Sequence, residues 1–196
     1  MADRIGEITR KTKETDIHMR LNLDGQGNAD ISTGIGFFDH MLNSFARHGF
    51  FDLDLTADGD LDVDCHHTVE DTGIVLGEAI AEAVGGKKGI RRYGSFVLPM
   101  DEALAFVAID LSGRPYFVSE MDFPASKAGD LDTGMVREFF YAVSYSAGMN
   151  LHIRILSGSN THHMVEAVFK AFAKALDEAT GFDPRLHDVL STKGSL

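Results

Sequence analysis

A histidine-rich motif, His-His-x-x-Glu, occurs twice in this chain, and the residues around each copy are repeated as well. Residues 65–70 (CHHTVE) match residues 161–166 (THHMVE) at an offset of 96. Upstream of each motif, LDGQG at 23–27 matches LSGRP at 111–115 at an offset of 88. Matching segments that keep their order and nearly keep their spacing are typical of an internal duplication. We therefore expect the chain to fold as two like halves.

A predicted helix follows the same scheme, because residues 37–49 align with residues 135–147 at an offset of 98. A chance likeness between two amphipathic helices is the alternative explanation, but it does not account for the paired histidine motifs. The sequence therefore predicts one compact domain over residues 1–196, made of pseudo-repeats of about 1–95 and 96–196.

The hydrophobic pattern predicts similar elements in both halves. In the first half we expect strands at 15–23, 28–33 and 50–56, and helices at 37–48 and 67–84. In the second half we expect strands at 102–110, 116–121 and 149–156, helices at 133–147 and 161–180, and a polar loop at 122–132. The segments 24–27 and 112–115 are predicted to be turns that send the chain back beside the preceding strand. The predicted fold class is α+β, with each module a small mixed sheet covered on one face by two helices, in a GHMP-like or ferredoxin-like arrangement.

Composition narrows the class of protein. Lys and Arg number 18 and Asp and Glu number 30, so the formal net charge is −12, which argues against a nucleic-acid partner. No segment reaches the ~20 apolar residues that a membrane-spanning helix needs, and the charged N-terminus does not resemble a signal peptide. The single cysteine, Cys65, cannot form an internal disulfide. We therefore expect a cytoplasmic protein without a nucleic-acid or membrane partner.

The spacing within each motif favours metal binding by pairs of side chains. If the motif begins a helix, His66 and Glu70 are four residues apart and share a face. His67 is rotated from that face by ~100°, so one motif cannot direct all three side chains at one ion without distortion. The same holds for the second copy. The two motifs are thus predicted to serve two metal ions reciprocally, each giving two ligands to one ion and one ligand to the other.

The alignment of the helices adds a fourth ligand to each predicted site, because His40 falls opposite Glu138. One site would consist of His40, His67, His162 and Glu166, and the other of Glu138, His163, His66 and Glu70. Imidazole and carboxylate ligands without a thiolate suit Mn, Fe, Co or Zn. A capping or surface role would explain a single such motif, whereas two copies in register favour metal sites. Cys65 is interpreted as a packing residue.

Basic residues beside glycine and serine form a candidate anion clamp in an otherwise acidic chain. Arg92 lies in the segment GIRRY, Arg114 in the turn SGRP, and Lys193 follows Ser191 near the end of the sequence. Arginine and lysine bind phosphate through charge-assisted hydrogen bonds. The sequence contains neither a P-loop nor a GxGxxG fingerprint. Exposed solubilising charge is the alternative for any one of these residues taken alone.

Taken together, these segments resemble the imidazoleglycerol-phosphate dehydratase family. The resemblance runs from about residue 3 to residue 194. It rests on long and specific stretches, namely FFDHML (37–42), HHTVEDTGIVLGEA (66–79), GIRRYG (89–94), MDEALA (100–105), DLSGRPY (110–116), LHIR (151–154), THHMVEAVFKAFAKAL (161–176) and STKG (191–194). The resemblance also implies a fold of two like α+β modules.

The resemblance implies two Mn(II) ions per subunit, at sites formed where subunits meet. It further implies a large, hollow homo-oligomer, an octahedral 24-mer whose assembly depends on the metal. Carried over by position, the implied metal ligands are His40, His66, His67, Glu70, His162, His163 and Glu166. The family's eighth ligand is often a histidine, and this chain has Glu138 at the matching position.

The reaction that the resemblance implies is loss of water from D-erythro-imidazole glycerol phosphate to give imidazole acetol phosphate, in L-histidine biosynthesis. Two Lewis acids at the ring nitrogens would favour an imidazolate, which expels the hydroxyl beside the ring and leaves a diazafulvene-type intermediate. The implied catalytic carboxylates are Glu14, Glu70 and Glu166. The implied substrate contacts are Glu14, His40, His48, His66, His67, Arg92, Arg114, His162, Lys170, Ser191 and Lys193.

Two other functions fit parts of the pattern. A binuclear metallohydrolase would use the same ligand types to cleave phosphate esters. A non-catalytic metal-storage or assembly protein would oligomerise with metal, but it would not need Arg92, Arg114 and Lys193. The coherent set of phosphate-binding residues therefore favours an enzyme.

Overall fold

Four helices pack against two four-stranded sheets in the computed structural model, which describes residues 3–196. The helices are α1 (Gly36–Gly49), α2 (His66–Val84), α3 (Gly134–Ala147) and α4 (Thr161–Thr180). The strands of the two large sheets are β1 (Ile5–Lys11), β2 (Thr15–Asn22), β3 (Ala29–Ser32), β4 (Asp52–Gly59), β5 (Tyr93–Met100), β6 (Ala103–Asp110), β7 (Tyr116–Glu120) and β10 (Asn150–Ser157). A small ribbon is formed by β8 (Lys127–Ala128) and β9 (Leu131–Asp132). None of the helices within residues 3–196 combines the length and the apolar character that crossing a lipid bilayer requires.

The two large sheets have the same strand order, β1-β2-β4-β3 in the first half and β5-β6-β10-β7 in the second. In each sheet the first three strands are antiparallel neighbours. The last strand of each sheet is parallel to its neighbour, since β3 pairs with β4 and β7 with β10. The second sheet therefore repeats the first strand for strand, and the predicted α+β class with two like modules is confirmed.

The helices cover the sheets and meet one another across the two halves. Helix α2 packs on β1 and β2, and α4 packs on β5 and β6. Between the halves, α1 contacts α4 and α2 contacts α3. The ring of Phe140 packs tilted on Phe169 and edge-on against Phe172 in the core between α3 and α4. Full burial of each such ring stabilises the fold by ~1.5–3 kcal/mol. Each histidine motif thus lies beside a helix of the other half.

The strand pairing predicted across the turns at 24–27 and 112–115 was wrong. The segment after β2 does not fold back as a hairpin, because β4 lies between β2 and β3. The segment after β6 likewise leads to β7, which pairs with β10 and not with β6. The physical reason is burial. Strand β4 carries the buried side chains of Leu53 and Leu55, whereas most of β3 is exposed. The more apolar strand takes the central position and the polar strand takes the edge.

The hydrophobic pattern also fails to predict β1 and β5. Both are edge strands of their sheets, and most of their side chains are exposed or only partly buried. Edge strands carry a weak apolar signal, because much of their surface faces solvent. Their pairing is therefore visible only in three dimensions.

The polar stretch 122–132 is more ordered than the predicted loop. It contains the ribbon β8–β9, in which Ala128 and Leu131 are buried. At the tip of this ribbon, the carboxylate of Asp130 accepts hydrogen bonds from the backbone N–H groups of Gly36 (2.7 Å) and Phe37 (2.9 Å). These are first-turn N–H groups of α1, which have no partner within the helix. The ribbon thus anchors the helix that carries His40.

Glycines at equivalent positions allow close packing of a strand against a helix in each half. A Cβ atom at Gly6 would overlap the carbonyl oxygen of Ala79 on α2. A Cβ atom at Gly94, 88 positions later, would overlap the carbonyl oxygen of Ala175 on α4. The same steric requirement therefore recurs in both modules.

We expect Gly6→Ala to destabilise the protein by ~1–3 kcal/mol or more, because the clashing atoms are backbone and cannot rotate away. The measurement is the urea unfolding midpoint of the metal-free protein. Gly86→Ala is the matched control, since nothing lies within 4 Å of a Cβ atom there. Equal midpoints for the two variants would contradict the packing described.

Candidate functional site

Three ligand-type side chains from two helices converge at the interface of the two halves. His40 lies on α1, and His162 and Glu166 lie on α4. The Nε2 atoms of His162 and His40 are 3.2 Å and 3.8 Å from Glu166 Oε2. Ligand atoms of the three residues of this His-His-Glu triad all lie within 4.8 Å of one another. Within residues 3–196, it is the one group of three or more His, Cys, Asp or Glu residues that meets this distance.

Glu166 is an anion in this environment. Only 9% of its side chain is exposed, and its Oε1 atom pairs with Lys170 Nζ at 2.7 Å. Burial by itself would raise the pKa of the Glu166 carboxyl. The hydrogen bond and charge of Lys170, together with His40 and His162, outweigh burial and hold that pKa below its ordinary value. The triad therefore contains a carboxylate that is ready to accept a cation.

Local structure explains why these side chains meet. The Asn160 side chain caps α4 by accepting hydrogen bonds from the N–H groups of His162 (2.9 Å) and His163 (3.4 Å). The His162 ring also packs edge-on against Phe37, with 4.9 Å between the ring centroids. Because α1 packs against α4, the His40 side chain reaches the same point.

The second motif forms a looser cluster on α2. His66 Nε2 and Glu70 Oε2 are 3.6 Å apart. Glu138 lies on the facing helix α3. Interaction with Tyr145 raises the pKa of the Tyr141 hydroxyl most, and the nearby charges of Glu138 and Glu70 raise it further. In the described part of the chain, Glu138 does not come close enough to His66 and Glu70 to form a second three-ligand group. The first cluster takes its histidine motif from the second half and one further residue from the first half, and in this cluster the two halves exchange these roles.

The middle histidines of the motifs lie apart from these clusters. His67 contacts Asp60 at 2.9 Å and faces Glu14 at 3.8 Å. His163 contacts Glu102 at 2.8 Å. The hydrogen-bonding carboxylate raises the imidazole pKa of each histidine. The chain therefore brings together three of the four ligands predicted for the first site, and it places the fourth, His67, elsewhere.

The predicted anion clamp is brought together as one cavity of about 640 Å³. Arg92, Arg114, Ser191 and Lys193 all line it. Arg92 is held by Asp110, whose oxygens accept from Nε (2.6 Å) and from the guanidinium (3.0 Å). We refer to this space as the anion cavity.

Lys170 and His48 lie elsewhere, in a cavity of about 350 Å³ that they share with His40 and Glu166. Burial and the Lys170 charge lower the pKa of His48, so that this ring is neutral at neutral pH. The two residues therefore belong to the surroundings of the His-His-Glu triad.

Within one chain, the anion cavity and the triad lie near opposite ends of α4. The backbone N–H of Arg92 donates to the carbonyl oxygen of Ala179 at 2.9 Å. Ala179 follows Glu166 by 13 positions, which corresponds to about 20 Å along a helix at 1.5 Å per residue. A small substrate cannot contact both places on the same chain.

The sequence patterns do not single out Asp60, Glu102 or Asp110, although each of them contacts a predicted site residue. One signal was present for Glu102, which follows Glu14 by 88 positions, the same offset that relates LDGQG to LSGRP. Asp60 and Asp110 have no such signal, because their contacts depend on how loops and strand ends meet in space.

Comparisons with known proteins all match the same family. The family model "Imidazoleglycerol-phosphate dehydratase" matches residues 33–176. Imidazoleglycerol-phosphate dehydratase from Lachnoclostridium phytofermentans is 66% identical over 194 residues, covering 99% of both chains, and that from Acetivibrio thermocellus is 60% identical, covering 99% of this chain and 100% of the other.

Two solved structures have the same fold. The crystal structure of imidazoleglycerol-phosphate dehydratase from Staphylococcus aureus is 40% identical, with a TM-score of 0.83, and covers 91% of this chain and 99% of its own. That from Pyrococcus furiosus, in complex with (S)-C348, is 37% identical, with a TM-score of 0.84, and covers 96% and 100%. The chain therefore belongs to the imidazoleglycerol-phosphate dehydratase family, the hydro-lyases of histidine biosynthesis.

Proposed function

We propose that this chain removes water from D-erythro-imidazole glycerol phosphate to give imidazole acetol phosphate, with two Mn(II) ions per subunit. The observation that carries the proposal is the His-His-Glu triad of a family member, built from His40, His162 and the buried anion Glu166. The anion cavity supports a phosphorylated substrate, because it gathers Arg92, Arg114 and Lys193 in a chain of net charge −12.

The donor set of the triad fits the proposed metal. Two imidazole nitrogens and one carboxylate, without a thiolate, suit a divalent ion such as Mn(II). We assign a second ion to His66, Glu70 and Glu138, with His163 as its fourth ligand, and we assign His67 as the fourth ligand of the first ion. When bound, the two ions would act as Lewis acids at the imidazole nitrogens of the substrate.

The other predicted residues supply binding and proton transfer. We assign Arg92, Arg114, Ser191 and Lys193 to the phosphate group. We assign acid–base chemistry to Glu14, whose carboxylate lies 3.8 Å from His67 Nε2 and is about half exposed, so that it can exchange protons with solvent. Glu70 and Glu166 act mainly as metal ligands, and the bound ions would hold the imidazole ring of the substrate in place. Lys170 keeps Glu166 ionised.

The proposed site needs more than one copy of the chain. The anion cavity lies about 20 Å from the His-His-Glu triad along α4, which exceeds the length of a three-carbon phosphate bearing one ring. His67 also lies apart from the triad. We therefore propose that sites form between copies in a homo-oligomer, an octahedral 24-mer as the resemblance implies. We also propose that this assembly is cytoplasmic.

We also propose that residues 1–196 make one dehydratase domain from pseudo-repeats of about 1–95 and 96–196. The identical strand orders of the two sheets support this division. The equivalent close contacts of Gly6 and Gly94 support it independently.

Mass spectrometry of imidazole glycerol phosphate tests the proposal directly. We expect chelated protein to leave the substrate unchanged and the same protein, after Mn(II) is restored, to remove one water from it while the phosphate stays on the product. Release of inorganic phosphate would indicate a metallohydrolase instead. Binding and assembly with Mn(II), but without any change in the substrate, would indicate a storage or assembly protein.

A further inference from the structure

One side of the His67 ring is hydrogen-bonded to a carboxylate that has no role in the proposed reaction. Its Nδ1 atom lies 2.9 Å and 3.1 Å from the two carboxylate oxygens of Asp60. Within residues 3–196, the hydrogen bonds of the Asp60 side chain are these two. The opposite nitrogen, Nε2, faces Glu14 at 3.8 Å, which is beyond hydrogen-bonding distance.

The His163 ring has the same arrangement with a different carboxylate. Its Nδ1 atom lies 2.8 Å from Glu102 Oε2. The other oxygen of Glu102 accepts from the backbone N–H groups of Asn160 (2.7 Å) and Ser159 (3.2 Å), just before α4 begins. Glu102 therefore cannot swing away without releasing the backbone at the start of the helix.

A carboxylate partner dictates which ring nitrogen carries the proton. An ionised carboxylate has acceptor sites but no proton to donate, so Nδ1 must be the donor in both contacts. In the neutral ring, the lone pair then lies on Nε2, which is the atom able to bind a metal ion. Partners of this kind fix the tautomer and the orientation of histidine ligands in metal sites.

We propose that Asp60 and Glu102 are positioning residues that hold His67 and His163 with Nε2 free to bind the metal of a neighbouring copy. The inference rests on the proposed function. His40 and His162 are already oriented by the triad, but His67 and His163 lie outside any group of three ligand residues in the described chain. Side chains that must complete a site on another copy gain most from being aimed in advance.

The proposal explains a difference between the halves. Glu102 is the counterpart of Glu14 at the 88-residue offset, yet Glu102 holds a histidine and Glu14 does not. Asp60, from the loop between β4 and α2, holds His67 in place of Glu14. Glu14 then faces His67 Nε2 at 3.8 Å, and Asp101 faces His163 Nε2 at the same distance, so a second carboxylate lies beside the free nitrogen in each half.

Two independent readouts test the proposal without measuring turnover. The first is the tautomer, from ¹⁵N NMR of metal-free protein with labelled histidines, at a pH where the rings are neutral. The second is Mn(II) affinity, from the EPR signal of free Mn(II). We expect Asp60→Ala to mix the tautomers of His67, to leave His163 unchanged, and to weaken Mn(II) binding by about 10- to 100-fold. Glu102→Gln should do the same to His163 alone.

Matched controls remove the same charge without touching a ring. Asp62→Ala alters the same exposed loop as Asp60→Ala, and Glu120→Gln matches Glu102→Gln. Asp60→Asn, which keeps the side-chain volume, replaces the alanine variant if that variant does not fold. If the wild type binds Mn(II), and Asp60→Ala and Glu102→Gln show the same histidine tautomers and the same Mn(II) affinity as the wild type, this inference alone is overturned. A wild type that binds no Mn(II) would overturn the metal assignment of the proposed function, and the inference with it.

Discussion

Replacing Glu166 by glutamine is expected to weaken Mn(II) binding and to slow dehydration, each by roughly 100-fold or more. The carboxylate is the shared centre of the His-His-Glu triad, 3.2 Å from His162 and 3.8 Å from His40. Loss of a residue that merely orients a ligand costs about 10- to 100-fold in metal affinity, so loss of a ligand should cost at least as much. The substitution also leaves Lys170 without its partner, which places an uncompensated positive charge beside the metal position.

The measurements are Mn(II) affinity by EPR and turnover at saturating Mn(II). Glu178→Gln is the control, because it makes the same chemical change at an exposed position of the same helix, and the glutamine oxygen can still accept the hydrogen bond from the Ser95 N–H. Glu166→Gln protein that retains wild-type affinity would remove Glu166 from the proposed ligands.

Replacing Arg114 by alanine is expected to raise KM for the phosphorylated substrate by roughly 10- to 100-fold, because a hydrogen bond to a charged group contributes about 1.5–3 kcal/mol. Arg114 is exposed on the turn before β7 and lines the anion cavity. Arg114 is assigned to the phosphate group and not to the metal ions or the reacting carbons, so kcat should change less than KM. Arg185→Ala is the control, since Arg185 is exposed but pairs with Asp183 outside the cavity. An unchanged KM would separate Arg114 from substrate binding.

A mixture of the two variants distinguishes shared sites from sites within one chain. If the triad and the anion cavity of a site come from different copies, then co-assembled Glu166→Gln and Arg114→Ala chains should recover about a quarter of the wild-type sites, by random pairing of equal amounts. Sites contained in one chain would recover none. The measurement is the activity of a 1:1 mixture, dissociated and reassembled with Mn(II), at a substrate concentration far below the wild-type KM, where the KM defect of Arg114→Ala is fully expressed.

Local pattern predicted the parts of the fold that local forces determine. The helix at 161–180 was predicted with the bounds that α4 has, because its apolar face keeps a regular helical spacing. The edge strands β1 and β5 were not predicted, and the pairing of β3 and β7 was predicted wrongly. Those features depend on which strands compete for the buried centre of a sheet, and that competition involves residues far apart in the chain.

The candidate site divides in the same way. The pairing of His162 with Glu166 follows from their spacing on one helix, and the internal repeat adds His40 from another. The roles of Asp60 and Glu102 could not be predicted by spacing, because each carboxylate reaches its histidine from a separate loop or turn. Only the folded chain shows these contacts.

The packing of α1 on α4 and of α2 on α3 has an evolutionary consequence. Each ligand cluster draws on helices of both halves, so a half-length ancestor could have built such a cluster only by pairing with a second copy of itself. The two clusters of that pair would have been identical by symmetry, and every substitution would have altered both. Fusion into one polypeptide ended this coupling. Glu138 could then diverge from His40, and Glu14 and Glu102 could acquire different contacts, without disturbing the other cluster.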